Sequence, residues 1–309
     1  MRVLFFGSAA IGFQTLENLL ASSRDELVGV LTQPDRPAGR KLNPVPCPVK
    51  TFAEERGVPV FSPEKVGSAE SLEVLRKLRA DLFVVVAYGQ YIPQSVLALP
   101  PCGAINLHPS LLPKYRGSSP IQWALANGDS MTGVTILYVS EKMDSGDILC
   151  QREVPIGPED NALTMDPVLA QTGADLLMEA VEQIRSGTVA ARPQDDAAAV
   201  EVRKLTKEDG RLDWTLPARM LNNRIRGFIS WPGCFCEAGS GRLKVFRARV
   251  ESGAGRPGEL LDVSGEGPLV ATGEDALRLL EVQPEGKRAM DGAAYLRGHP
   301  LQPGDRLTG

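Results

Sequence analysis

In the first half of the chain, short apolar runs alternate with segments whose apolar residues recur at helical spacing. Segments 2–6, 26–31, 82–87, 104–107 and 133–139 are predicted strands. Segments 11–22, 49–56, 69–78 and 119–127 are predicted helices between them. Such alternation implies an α/β fold, a mostly parallel sheet with helices on both faces. The run Leu-Phe-Val-Val-Val-Ala at 82–87 is apolar on both faces, as a central parallel strand requires. Ser119-Pro120-Ile121-Gln122 has the form of a capping box with Pro at the first helical position. A long helix is expected over 162–186, with Pro167 starting or kinking it.

Beyond it the pattern changes. Segment 188–204 is poor in aromatics and rich in Ala, Asp and Gln, and reads as a linker. An amphipathic helix near 217–226 precedes short strand patterns at 242–250, 259–263, 268–272 and 276–282. Gly and Pro punctuate them at about ten-residue spacing, which predicts a small β-barrel or sandwich. The expected division is a catalytic domain over 1–187, a linker over 188–206 and a barrel domain over 207–309. A length of 309 residues agrees with two domains at roughly 150 residues each.

Composition narrows the class. At 43% hydrophobic and 23% charged the chain has the make-up of a globular protein. Its longest strongly apolar run, 82–87, is far short of a bilayer span. The strand pattern begins at once, without the apolar stretch and cleavage site of a signal peptide, so the expected compartment is the cytoplasm. Five scattered cysteines fit reduced thiols, and Cys234-Phe235-Cys236 lacks the companion ligands of a metal site. The net charge is −4, yet segment 219–256 carries eight basic residues against two acidic ones, a stretch able to hold phosphates.

Two features invite chemistry. The first βα turn, Gly7-Ser8-Ala9-Ala10-Ile11-Gly12, has Ala9 where a dinucleotide site needs glycine for pyrophosphate to approach the backbone. Asn106-Leu107-His108 is more informative. The two polar residues lie two apart at the carboxyl end of a strand, so their side chains point to one side. Ligands bind along that edge of an open parallel sheet. One further crossover is expected to bring Asp144 there as well. An amide and an imidazolium can both donate to the oxyanion of a tetrahedral intermediate, while the carboxylate orients the ring and takes a proton through water. The trio suits acyl transfer to an amine. A Ser-His-Asp hydrolase built on Ser110 competes, but the strand–turn–helix elbow of such enzymes is missing.

At these residues the chain resembles the 10-formyltetrahydrofolate-dependent formyltransferases. Their pattern of Asn-x-His, Ser-Leu-Leu-Pro-Lys/Arg and Asp-x-Gly stands here as Asn106, His108, Ser110–Lys114 and Asp144-Ser145-Gly146. The members it most resembles share the runs 32–40, 115–122, 132–136, 204–209, 212–214, 225–228 and 231–233, spread over nearly the whole chain. That resemblance implies a Rossmann-like catalytic domain followed by an OB-like barrel. It also implies formyl transfer from 10-formyltetrahydrofolate, without a metal, to methionine carried by initiator tRNA. Asn106, His108 and Asp144 would be catalytic, with Ser110, Leu111, Leu112 and Pro113 lining the folate site. Arg36, Arg40 and Lys41, in the loop after the second strand, would contact tRNA. A monomer with no membrane partner is expected, and a small amine acceptor or a non-catalytic regulator are the rival readings.

Overall fold

The computed structural model describes residues 1–38, 43–239 and 241–309. It divides into two compact units: 1–117 with 131–155 and 166–201, and 118–130 with 156–165 and 202–309. Among the described residues, no helix is long and apolar enough to cross a membrane.

In the first unit the chain runs β1 (Arg2–Gly7), α1 (Phe13–Ala21), β2 (Glu26–Leu31), β3 (Arg36–Ala38), β4 (Asn43–Val45), α2 (Pro48–Glu55) and β5 (Val60–Phe61). It continues with α3 (Ala69–Leu78), β6 (Leu82–Val86), α4 (Gln94–Leu97), β7 (Ala104–His108) and β8 (Lys114–Gly117). After α5 (Pro120–Ala126), which belongs to the second unit, come β9 (Met131–Tyr138), β10 (Ile148–Pro155), α6 (Ala162–Ser186), whose first turn also lies in the second unit, and β11 (Val200–Val202). The main sheet has the order β10-β9-β7-β6-β1-β2-β5. The five strands from β7 to β5 are parallel. Every residue of β6 is buried, as expected of a strand covered on both faces. Helix α3 starts where Ser68 accepts a hydrogen bond from the Ser71 N–H.

Several expectations need correcting. β9 runs antiparallel to β7, with His108 opposite Thr135 and Asn106 opposite Leu137. β10, not anticipated, pairs antiparallel with β9. Asp144 therefore arrives on the hairpin loop between them and not by a parallel crossover. The capping box does not form: Ser119 has φ 63° and makes no side-chain cap. Capping needs an extended N-cap residue, and the left-handed conformation turns the hydroxyl away from the N–H groups of the first turn. Helix α6 continues through Pro167, which supplies no N–H to the helical ladder.

Segment 188–206 is ordered rather than free. Arg192 exchanges backbone hydrogen bonds with Ile148, and β11 pairs with β8 through Val200 N–H and the Pro113 carbonyl.

The second unit continues with α7 (Ala218–Gly227), β12 (Cys234–Ala238), β13 (Gly241–Glu251), β14 (Leu260–Asp262), β15 (Leu269–Ala271) and β16 (Ala276–Pro284). The last elements are β17 (Met290–Asp291), α8 (Gly292–Gly298) and β18 (Leu307–Thr308). The antiparallel sheet has the order β14-β15-β16-β13-β12-β18. Its outer edges meet, because Leu260 N–H donates to the Asp305 carbonyl and Leu307 N–H to Gly258, each at 2.8 Å. The sheet is thus a nearly closed barrel, which leaves little free edge. Leu243, Val245, Leu277, Leu279 and Val282 fill it together with Leu221, Ile225 and Phe228. Gly227 is needed where α7 meets α5, since a Cβ there would lie 2.7 Å from the Gln122 carbonyl oxygen.

Candidate active site

The end of β7 and the turns that follow it build the polar centre of the first unit. Asn106 and His108 are separated by one residue on β7, so the pleat sends both side chains to the same face. His108 is 5% exposed, and its Nε2 lies 2.9 Å from the Tyr115 carbonyl. A carbonyl only accepts, so Nε2 carries the hydrogen and the ring is tethered through it. The other ring nitrogen, Nδ1, faces Asp144 Oδ2 at 3.6 Å. That distance exceeds a hydrogen bond and leaves Nδ1 open to a third group. Asn106 is half-buried, and its amide makes no hydrogen bond to a described residue. The amide is therefore one donor available for a developing oxyanion, and Nδ1 becomes the second when the ring carries both protons as an imidazolium.

Asp144 belongs to the β9–β10 loop. Its Oδ2 accepts the Gly117 N–H at 2.8 Å, and its backbone φ is 51°. Gly146, two residues on, lies against the preceding strand: a Cβ there would meet the Tyr138 carbonyl oxygen at 1.8 Å. This contact folds the loop back over β9 and carries Asp144 to His108.

The 110–113 turn is held from below. Thr135, fully buried, donates to the Ser110 carbonyl at 2.7 Å and accepts from Leu112 N–H and Gln151 Nε2. Ser110 is fully buried with its hydroxyl donating to the Lys114 carbonyl at 2.7 Å. Such a hydroxyl has no open path to a substrate, which removes Ser110 as a nucleophile. Leu112 is also buried, in a cluster with Leu137 and Ile148. Of the four residues expected to line a folate site, Leu111 and Pro113 alone keep exposed surface.

The expected RNA contacts divide. Arg36 is exposed at 3.5 Å from Glu64, while Arg40 and Lys41 lie outside the described residues. In the basic stretch of the second unit, Arg226 is occupied structurally, donating to the Asp160 carbonyl at 2.6 Å and to Asn223. Arg242, Lys244, Arg247 and Arg249 are exposed along β13, whose Leu243 and Val245 point inward. Arg242 lies over the Phe235 ring at 4.1 Å, and Arg249 pairs with Glu251 and Glu266. Cys234 and Cys236 are buried in β12, and burial pushes the Cys234 thiol up to about 12 and Cys236 higher still. Both stay protonated at neutral pH, as structural thiols. Among the described residues, no group of three or more His, Cys, Asp and Glu gathers as a metal site would need.

Comparison with known proteins decides the family. Residues 1–181 match the formyl transferase family and residues 204–300 match the formyl transferase C-terminal domain.

The chain belongs to the formyl transferase family.

Curated relatives span its full length. A methionyl-tRNA formyltransferase of Geobacter sulfurreducens is 41% identical over 99% of this chain and 96% of its own. One of Roseiflexus castenholzii is 44% identical over 100% of this chain and 99% of its own. Among solved structures, HypX of Aquifex aeolicus in complex with tetrahydrofolic acid superposes with a TM-score of 0.63 at 20% identity. All of this chain is covered there, and it spans about half (51%) of the HypX chain. WlaRD, a sugar 3N-formyl transferase crystallised with dTDP and 5-N-formyl-THF, gives 0.66 at 14% identity over 93% of this chain and 99% of its own. At those identities the two structures show a shared fold.

Sequence reasoning missed four positions. Tyr115, Gly117 and Gln194 touch the trio or its loop, and Arg116 bonds to Gln194 behind them. Arg116 carried one signal in advance, its place in the shared run 115–122, but that signal did not assign it a contact.

Proposed function

We propose that this formyltransferase moves the formyl group of 10-formyltetrahydrofolate to the α-amine of methionine on initiator tRNA, giving N-formylmethionyl-tRNA for translation initiation. The observation that carries the acceptor is identity of 41–44% across both units with proteins of that name. The fold by itself does not choose, since sugar N-formyl transferases share it.

In this reading the amine nitrogen bonds to the formyl carbon and the carbonyl π electrons pass to oxygen. The Asn106 amide and, with the ring as an imidazolium, the His108 Nδ1–H receive that oxyanion; losing one such donor costs ~3 kcal/mol. Asp144 orients the ring and accepts the proton leaving the amine, directly or through one water; its Oδ1 makes no hydrogen bond to a described residue. Collapse breaks the bond from the formyl carbon to N10, which leaves with a proton, so one proton is lost and one gained. An amine of pKa about 8 is nucleophilic once deprotonated and needs no protein nucleophile. Leu111 and Pro113 supply the apolar wall for the folate. Ser110 and Leu112 set the turn from inside.

The division of labour follows 1–187 for chemistry and 207–309 for tRNA, with 188–206 joining them. Arg36, Arg40 and Lys41 enter the acceptor end of the tRNA, and the exposed cations of β13 add phosphate contacts. The chain acts as a monomer in the cytoplasm.

Formylation of methionyl initiator tRNA with 10-formyltetrahydrofolate, beside methionyl elongator tRNA and small amines, tests the assignment. Rapid product from the initiator alone is expected. Product from a small amine alone would overturn the acceptor and keep the chemistry, and no product from any acceptor would favour a regulator.

A further inference from the structure

Asp144 stands on the β9–β10 loop with a left-handed φ of 51°, a conformation uncommon outside glycine and best tolerated by Asn and Asp. Hydrogen bonds from outside the loop help to hold it there. The side chain of Gln194 does so in the described geometry: Nε2 donates to the Asp144 carbonyl and to the Gly146 carbonyl, each at 2.8 Å. One hydrogen of the amide serves each acceptor, so both ends of the turn are pinned by a single group.

The direction of that amide is not free. Arg116 Nε donates to Gln194 Oε1 at 2.9 Å, and a guanidinium has no acceptor. The oxygen must face Arg116, which leaves the NH2 facing the loop. Arg116 itself is 1% exposed, and its Nη1 donates to Asp196 Oδ1 at 2.7 Å. Its two neighbours hold the other parts of the site. The Tyr115 carbonyl takes the His108 Nε2 hydrogen, and the Gly117 N–H donates to the Asp144 carboxylate. Three successive residues of β8 thus secure the imidazole, the glutamine and the carboxylate.

We propose that Gln194 is a positioning residue for Asp144, fixing the carboxylate against His108 through the loop backbone, with buried Arg116 setting the sense of its amide. The proposal rests on Asp144 acting in formyl transfer. Asn106, His108 and folate contacts lie on other segments, so a loosened Gln194 affects turnover and leaves donor binding alone.

Gln194→Glu keeps an acceptor for Arg116 and removes both donors; Gln194→Met keeps the length and removes everything polar. Each is measured for kcat, folate KM and thermal midpoint, alone and combined with Asp144→Asn. We expect kcat to fall about tenfold or more for either variant, since small misplacements at a reacting centre are costly, with folate KM within about twofold. In the Asp144→Asn background the same change should cost less than about twofold, because a residue acting through Asp144 has nothing left to position. Should Gln194→Glu fail to fold, Gln194→Met is read the same way. A kcat within about threefold of the parent, or full additivity with Asp144→Asn, overturns the proposal while Asp144→Asn itself remains crippled. Near-normal turnover of Asp144→Asn alone would instead bring down the reading on which the proposal stands.

Discussion

Gly146→Ala isolates the geometry of the Asp144 loop without touching a reacting group. Gly146 has an ordinary φ, so alanine meets no backbone penalty; the difficulty is space. Its Cβ would sit 1.8 Å from the Tyr138 carbonyl oxygen, where real contacts do not fall below 3.0 Å. Tyr138 is fixed on β9, its N–H donating to the Asp147 carbonyl at 2.9 Å, so the loop has to yield by at least about 1.2 Å. Movement of that size reaches Asp144 two residues away and breaks its 3.6 Å approach to His108 Nδ1 and its 2.8 Å bond from Gly117. A displacement of about 1 Å at a reacting centre costs on the order of 100-fold, or ~2.7 kcal/mol on the barrier. Single-turnover formylation at saturating folate reads this directly, and fluorescence titration with tetrahydrofolate checks that donor binding survives. Circular dichroism must show the variant folded. A folded Gly146→Ala protein with a rate within about threefold of the parent would refute the idea that this packing places Asp144.

Three further outcomes are expected. His108→Ala should bind folate nearly as the parent does and lose turnover by about 100-fold or more; steady-state kinetics beside folate titration decides it, and a near-normal kcat would remove His108 from the mechanism. Arg36→Ala should raise the KM for methionyl initiator tRNA with kcat preserved and reduce the salt dependence of kcat/KM by a slope of about 0.9, one phosphate contact; an unchanged slope would place Arg36 away from the RNA. The hydrogen bond from Arg203, against the opposing effect of burial and with help from Thr206, holds the Asp209 carboxyl down at about 2. A depressed pKa stabilises the fold above the ordinary value of 3.8 and ceases to do so as pH falls toward 2. Asp209→Asn should therefore cost about 1 kcal/mol in urea unfolding at pH 7, after allowance for the exposed Arg203, with the gap to the parent closing between pH 4 and pH 2. A gap independent of pH would assign the effect to packing.

Much of the first unit was legible because its signals are periodic. β1, β2 and β6 carry continuous apolar runs, β7 alternates apolar residues with Asn106 and His108, and α3 was bounded at 69–78 by its spacing alone. Strand direction was not legible, since the continuously buried run of β9 reads the same in a parallel or an antiparallel strand. β10 escaped notice because Cys150, Gln151 and Arg152 keep partial exposure at the edge of the sheet and Glu153 is exposed, which breaks the apolar run. The trio was visible as residue types at strand ends. Its supports were not, because Gln194 and Asp196 lie in a polar segment whose order comes from backbone pairing and one buried guanidinium, neither of which leaves a hydrophobic period. Ser119 gave a false capping signal for a related reason: the motif specifies side chains and not the φ that makes them reach.

The amide of Gln194 reaches a loop 50 residues earlier in the chain and takes its sense from an arginine 78 residues earlier. A nascent chain that has released Asn106, His108 and Asp144 into solution still lacks the segment that pins the last of them. Closing loops of that length is slow in comparison with local pairing, and its entropic cost falls due before any contact is gained. If Gln194 sets Asp144 as proposed, competence for formyl transfer is tied to a late event in synthesis, after β6 and β7 have left the ribosome. A ribosome-bound chain stalled short of residue 194 would expose a recognisable fold with an unset active site.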